Sequence, residues 1–388
     1  MTVAKSIVRS VELADIVLKV MIVEDTALYR KILRDILNGM ENVNVIDSAL
    51  NGELALRKIA YNEPDLVLLD IEMPVLDGIS TLVEIRNKYP KVGVIIVSGI
   101  SKRQSSITMD ALQKGAFDFI AKPNGNNIDS NIKDLKSKLA PVIEHFINKK
   151  YGVRRIKKTD DVIIKDEKKE ISRQTTYEVR FQTEKSQDRI PTKFDVVLIG
   201  TSTGGPAALH KIIPLFPANL GVPILLVQHM PPVFTKSLAE HLNVNSELEV
   251  VEAAENDIVR PNCIYIAPGG YHMVVKKEAG VVRTALLSTP HVNSCRPSVD
   301  VLFESASDVY KENILCVIMT GMGADGLNGV QHLKSCTSCY SITQSEDSCT
   351  VYGMPRMVDM AGLSNESVHL DSLTKRITEL VKNGLRVK

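Results

Sequence analysis

Residues 196–209 read VVLIGTSTGGPAAL. An apolar, strand-like run, Val196–Ile199, breaks into Gly200-Thr201-Ser202-Thr203-Gly204-Gly205 and then into a helix-forming segment. Strand, tight turn and helix in that order are the opening unit of a parallel α/β sheet, and such sheets hold ligands beyond the carboxyl ends of their strands. The turn admits two chemistries. Glycines between strand and helix cradle a phosphate on free helix N–H groups. The same residues spell G-x-S-x-G, the spacing that lifts a serine hydroxyl out of an elbow as a nucleophile.

A dinucleotide turn requires G-x-G-x-x-G and an acidic residue about 20 positions on. Ser202 stands where the middle glycine belongs, and no Asp or Glu occurs between Gly205 and Ala239. The G-K-[ST] of a P-loop is missing too. The phosphate reading fails. A nucleophilic serine instead needs a base within reach and a carboxylate to orient that base. The next strand-like run, Ile224–Val227, ends in Gln228-His229, and the later run Ile314–Met319 leads into TGMGADG with Asp325. Three strand ends therefore present Ser202, His229 and Asp325 along one sheet edge. Gly321, Gly323 and Gly326 make the last loop pliable enough to bring backbone N–H groups to a developing oxyanion. The plainer readings are a structurally satisfied histidine and an Asp325 that caps a helix near Gly326. The order Ser, His, Asp also differs from that of lipase-type hydrolases.

Working outward, strand-like Ile264–Ile266 extends this second α/β unit. Upstream, Lys19–Val23, Val43–Ile46, Leu66–Leu69, Val94–Val97 and Asp118–Ile120 alternate with helical patterns. Leu28, Ile32, Leu33, Ile36 and Leu37, for example, share one helical face. The expected fold is α/β: two doubly wound parallel-sheet domains, flavodoxin-like first and Rossmann-like second, joined by a flexible charged linker. The boundaries read as an N-terminal extension over 1–15, a first domain over 16–148, a linker over 149–193 and a second domain over 194–388. The linker carries 14 Lys/Arg and 8 Asp/Glu in 45 residues and has no sustained periodicity.

Composition narrows the class. With 388 residues, the chain has room for two or three cores. It holds 47 basic and 46 acidic side chains, so no general charge draws it to nucleic acid or an anionic membrane. The apolar run Ile16–Val23 is short, is interrupted by Lys19 and precedes no cleavage-like site. Neither a signal peptide nor membrane insertion is expected, and the location is expected to be cytoplasmic. All six cysteines lie in the second half; Cys336 and Cys339 form a C-x-x-C with no second pair, which reads as ordinary reduced thiols.

The first unit carries its own constellation. Glu24 and Asp25 follow the first strand, Asp70 the third, Ser98 ends the fourth, and Lys122 before Pro123 ends the fifth. Single residues of this kind are usually helix caps or turns. Together, three converging carboxylates call for a hard divalent cation such as Mg²⁺, and the hydroxyl and ammonium suit a phosphoryl group.

VMIVEDTALYRKIL, LVLLDIEMPVLDG, VIIVSGIS and GAFDFIAKP resemble a response-regulator receiver domain. That resemblance implies phosphorylation at Asp70, with Glu24, Asp25 and Asp70 around Mg²⁺, Ser98 and Lys122 on the phosphate, and Phe119 as the switch aromatic. Glu24 departs from the commoner Asp. IGTSTGGPAAL, VQHMPPVFTKSLAEHLN, YIAPGGYHM, RPSVDVLFESA, MTGMGADGLNG and SCTVYGMPR resemble, in order, the chemotaxis protein-glutamate methylesterase (CheB) catalytic domain. The resemblance implies Ser202 as nucleophile, His229 as base and Asp325 as its orienting carboxylate. It places the oxyanion hole at the backbone N–H groups of Thr203 and Met322, with no cofactor at this second site. Methyl-accepting chemotaxis receptors would be the substrates, a chemotaxis histidine kinase the phosphodonor, and glutamine deamidation a further activity. Departures from the family pattern are Thr201, where Ala is usual, and Ala324, where Asn is common.

Overall fold

The structure is a computed structural model that describes residues 17–123, 127–151, 191 and 193–383. The extension expected over 1–15 and nearly all of the linker expected over 149–193 lie outside the described residues.

The first unit runs β1 (Leu18–Val23), α1 (Ala27–Asn38), β2 (Val43–Ala49), α2 (Gly52–Asn62), β3 (Leu66–Asp70), α3 (Gly78–Lys88), β4 (Gly93–Ser98), α4 (Lys102–Gln113), β5 (Asp118–Ala121) and α5 (Ile128–Tyr151). Its sheet has the order β2-β1-β3-β4-β5, parallel throughout. That is the flavodoxin-like order. β3 and β4 are buried along their whole length, which explains their unbroken apolar sequences. Helix starts are specified locally: Asn51, Asp77 and Ser101 each accept a backbone N–H three residues ahead, capping α2, α3 and α4.

The second unit runs β6 (Val196–Thr201), α6 (Gly205–Ile212), β7 (Ile224–Gln228), α7 (Phe234–Val244), β8 (Glu249–Glu252), β9 (Cys263–Ile266), β10 (His272–Glu278), β11 (Val281–Leu287), α8 (Val299–Tyr310), β12 (Ile314–Ile318), α9 (Leu327–Cys336), β13 (Cys339–Gln344), α10 (Met354–Met360), β14 (Glu366–Val368) and α11 (Leu370–Asn383). Seven strands form a parallel sheet in the order β14-β13-β12-β6-β7-β9-β8, and β10 and β11 form a separate antiparallel hairpin. From β6 the chain builds outward through β7 and β9, then returns to lay β12 on the other side of β6. The crevice between β6 and β12 is therefore the topological switch point. β8, β13, β14 and the hairpin extend beyond the sequence expectation.

The two units pack against each other, and their buried apolar residues join in one cluster. Phe119 of β5 stacks on Phe234 of α7, with ring centroids 4.7 Å apart. Ser105 Oγ of α4 lies 2.6 Å from Ser237 Oγ, and Ser106 Oγ 2.9 Å from His241 Nε2.

Candidate active site and phosphoacceptor cluster

Ser202 follows the last residue of β6. Its backbone is tied to both neighbouring strands: Ser202 N–H donates to Thr320 O at 3.0 Å, and His229 N–H donates to Thr201 O at 3.1 Å. The Gln228 side chain adds a bond from Nε2 to Ser202 O at 2.9 Å. The turn is crowded enough to require its glycines. A Cβ on Gly204, whose φ is +74°, would meet Thr350, and one on Gly205 would meet Gln228 and Thr201. Thr201 itself is fully buried and donates its hydroxyl to Thr320 O at 2.9 Å, so the larger residue adds a tie between β6 and the end of β12.

His229 Nε2 lies 2.7 Å from Asp325 Oδ2. Asp325 is 2% exposed and sits on the N-terminus of α8, where Val299 N–H donates to Oδ2 at 2.6 Å. Ser298 Oγ and Asn293 Nδ2 donate to Oδ1, each at 2.8 Å. Burial alone would raise the Asp325 pKa, but His229, Val299 N–H and Asn293 outweigh it and bring it down to about 2. Burial also disfavours charge on His229, yet the Asp325 hydrogen bond and the Cys295 contact lift its pKa to about 9. An ionised carboxylate accepts only, so Nε2 carries the proton and Nδ1 is the basic nitrogen of the neutral ring. Nδ1 faces Cys295 Sγ at 3.5 Å. Ser202 Oγ makes no hydrogen bond to the described residues in this conformation.

The structure thus joins His229 to Asp325 directly and sets Ser202 on the adjacent strand end, without the serine–imidazole bond. Resting active sites often leave that bond to form with substrate. The N–H groups of Thr203 and Met322 donate to no acceptor among the described residues, which leaves both free for a ligand oxygen. Thr320 Oγ1 donates to Thr203 O at 2.9 Å and so fixes the plane of the neighbouring peptide. Cys295, Asn293 and Ser298 escaped sequence reasoning. They converge only through a turn in which Val292 and Cys295 exchange backbone hydrogen bonds.

In the first unit, carboxylate oxygens of Glu24, Asp25 and Asp70 lie within 4.8 Å of one another. Lys122 Nζ forms ion pairs with Glu24 Oε2 at 2.8 Å and Asp70 Oδ2 at 2.9 Å. Burial pushes the Glu24 and Asp70 pKa values up, and Lys122 offsets that only in part. Three carboxylates against one ammonium leave a net negative pocket whose all-oxygen donor set fits a hard divalent cation. Ser98 is buried at the end of β4, and its hydroxyl donates only weakly to Gly99 O at 3.3 Å. Phe119 points out of β5 onto α7. One residue earlier, Asp118 is pushed up to about 7 by burial, which the Phe119 N–H at 2.8 Å and the nearby Gly204 N–H offset only in part. Gly204 belongs to the Ser202 turn, so this carboxylate of the first unit borders that turn.

Two family models match the chain: a response regulator receiver domain over residues 20–133 and CheB methylesterase over residues 197–377. A protein-glutamate methylesterase/protein-glutamine glutaminase of Desulfotalea psychrophila is 41% identical over 367 residues, covering 94% of this chain and 99% of that protein. A protein of the same name from Trichodesmium erythraeum is 38% identical, covering 92% and 97%. Among solved structures, the Thermotoga maritima CheB methylesterase catalytic domain is 40% identical, with a TM-score of 0.47, over 49% of this chain and 100% of that one.

Proposed function

Because the chain belongs to the CheB protein-glutamate methylesterase/protein-glutamine glutaminase family, with a receiver domain in front, we propose that it is a chemotaxis methylesterase switched on by phosphorylation. Its reaction hydrolyses glutamyl methyl esters on the cytoplasmic helices of methyl-accepting chemoreceptors to glutamate and methanol. The observation that carries this reading is the 2.7 Å His229–Asp325 bond at the strand end next to Ser202; the N–H groups of Thr203 and Met322, which donate to no acceptor among the described residues, support it.

In the proposed mechanism Ser202 Oγ turns to His229 Nδ1, gives up its proton and attacks the ester carbonyl. Thr203 and Met322 N–H groups receive the oxyanion. The imidazolium, held by Asp325, protonates the departing methoxide. Water, deprotonated by Nδ1, then releases the acyl group as glutamate. Glutamine enters the same sequence with ammonia as the leaving group, which matches the second half of the relatives' name.

The receiver supplies control. Glu24, Asp25 and Asp70 are the residues that would hold Mg²⁺, which when bound neutralises the phosphoryl oxygens. Asp70 accepts the phosphoryl group from a chemotaxis histidine kinase, and Ser98 and Lys122 contact it. The β5 and α4 faces beside this cluster lie on α6 and α7, which carry the loops of Ser202 and His229. Rearrangement at Lys122 and Phe119 therefore bears directly on access to Ser202. The assigned boundaries are receiver 16–148, linker 149–193 and catalytic domain 194–388. No helix among the described residues is long and apolar enough to cross a membrane, in keeping with the proposed cytoplasmic site of action.

The test is methanol release from methylated receptor membranes, with and without a small-molecule phosphodonor. The expected result is release that the donor stimulates. No release from any methylated receptor overturns the substrate, and release indifferent to the donor overturns the switch.

A further inference from the structure

Asp325 is one of two buried carboxylates at this edge. Asp300, in the first turn of α8, is 2% exposed. Its Oδ1 accepts Gly326 N–H at 2.8 Å and Gly329 N–H at 2.7 Å, at the N-terminus of α9. Asp325, which precedes α9, accepts in return the first N–H groups of α8, from Val299 at 2.6 Å and Asp300 at 3.3 Å. Each carboxylate caps the other's helix.

Asn293 closes the gap between them. Its Nδ2 donates to Asp325 Oδ1 at 2.8 Å and to Asp300 Oδ2 at 2.9 Å, which uses both amide hydrogens. Asn293 and Ser294 have φ values of 51° and 62°, a left-handed pair that few residues other than glycine adopt. Asn tolerates that region best among the polar residues able to bridge two anions. The support acts on a loop whose glycines give the backbone freedom. Gly323 and Gly326 sit at φ of 86° and 96°, and a Cβ on Gly323 would meet nothing.

We infer that Asp300 and Asn293 are positioning residues for the esterase: they fix the height and rotation of the Asp325 carboxylate and, through it, the tilt of His229. The inference rests on the Ser202–His229–Asp325 reading above and adds two residues to it. A purely structural cap would support folding without influencing His229. Asp300 reaches further, because it shares Asn293 with Asp325 and holds the Gly326 N–H next to it, so its loss shifts the carboxylate that His229 bonds. The ionisable groups around this carboxylate are Asp325 and, beyond it, His229; the remaining partners, Asn293, Asn328 and the α9 N–H groups, are neutral donors.

The experiment uses the full chain and the rate at which a fluorophosphonate labels Ser202 between pH 5 and 10, a readout that does not depend on the natural substrate. Asp300→Asn is expected to slow labelling and kcat about tenfold to a hundredfold, with KM within about twofold. It is also expected to move the acid limb of labelling to lower pH, because a displaced Asp325 supports the protonated ring less. Asn293→Ala removes no helix cap and is expected to show the same loss of rate, which keeps the test open if Asp300→Asn fails to fold. Both variants labelling at the wild-type rate with an unmoved limb, even with a lowered Tm, would overturn the inference. A wild-type chain that does not label at Ser202 defeats the triad reading itself.

Discussion

Asp70 ends one interior parallel strand, and Asp325 lies in the loop beyond another. Both are nearly buried, and both belong to a cluster with further carboxylates nearby. Their environments nonetheless move them in opposite directions. Asp325 receives five donors, two of them backbone N–H groups of one helix terminus, and is held ionised down to about pH 2. Asp70 has Lys122 and Ile71 N–H, shares the lysine with Glu24, and is raised instead. Burial is common to the two, so it is the count of fixed donors that decides. A carboxylate saturated by protein donors is a permanent fixture. One left short of donors is poised for something from outside, a cation or a phosphoryl group.

The largest way to break the comparison lies on the saturated side. Ser202→Ala is expected to abolish methanol release and fluorophosphonate labelling, a loss of about 10⁴-fold or more. Asp325→Asn keeps the shape but loses the charge that sets the His229 tautomer, and is expected to lower kcat by about 10³- to 10⁴-fold. Activity surviving either change would remove the triad. On the unsaturated side, Asp70→Asn is expected to abolish stimulation by a phosphodonor, read as the ratio of methanol release with and without it; a ratio equal to wild type sinks the switch.

The smallest effects sharpen the contrast through pH. His229 is raised to about 9, so kcat/KM is expected to climb with pH until about 9 as the base becomes neutral. Its contribution to stability has the opposite course: full below about pH 6.5, and lost as pH rises through about 9. Glu24 and Asp70 are also raised, so near neutrality they weaken the folded state relative to acid. Mg²⁺ is therefore expected to raise Tm by about 2–4 °C at pH 7 and by less at pH 5. Equal shifts at both pH values in a calorimetric scan would contradict the assignment of the cluster.

Strands buried on both faces were the easiest to read. β3, β4, β6, β7 and β12 are continuous apolar runs because a parallel sheet covered on two sides has no polar face. β13 was hidden because CYSITQ carries polar residues into the core, each with a partner to satisfy it. Ser341 Oγ reaches Asn365 at 3.0 Å, Thr343 Oγ1 reaches Asp359 at 2.7 Å, and Gln344 Nε2 reaches Ser348 O at 2.8 Å. Cys336 and Cys339, read from the sequence as ordinary reduced thiols, are both free, and Cys339 Sγ lies 3.3 Å from Cys316 Sγ on the neighbouring strand. Ser202, His229 and Asp325 could be singled out because each ends or follows a legible strand. Asn293, Cys295 and Asp300 could not, because their roles arise from a turn and from two helix termini meeting in space.

The return of β12 to the flank of β6 has a consequence for the chain during its synthesis. Until residues 314–318 have left the ribosome, VVLIGT is paired on the β7 side alone and offers an open apolar edge to any other strand. The strand that leads into Ser202 is thus left with an unpaired edge in the unfinished protein. A chain stopped at Glu312 is expected to sediment as aggregate on release and to take up no fluorophosphonate; a soluble, monomeric product would show that the edge is protected by other means.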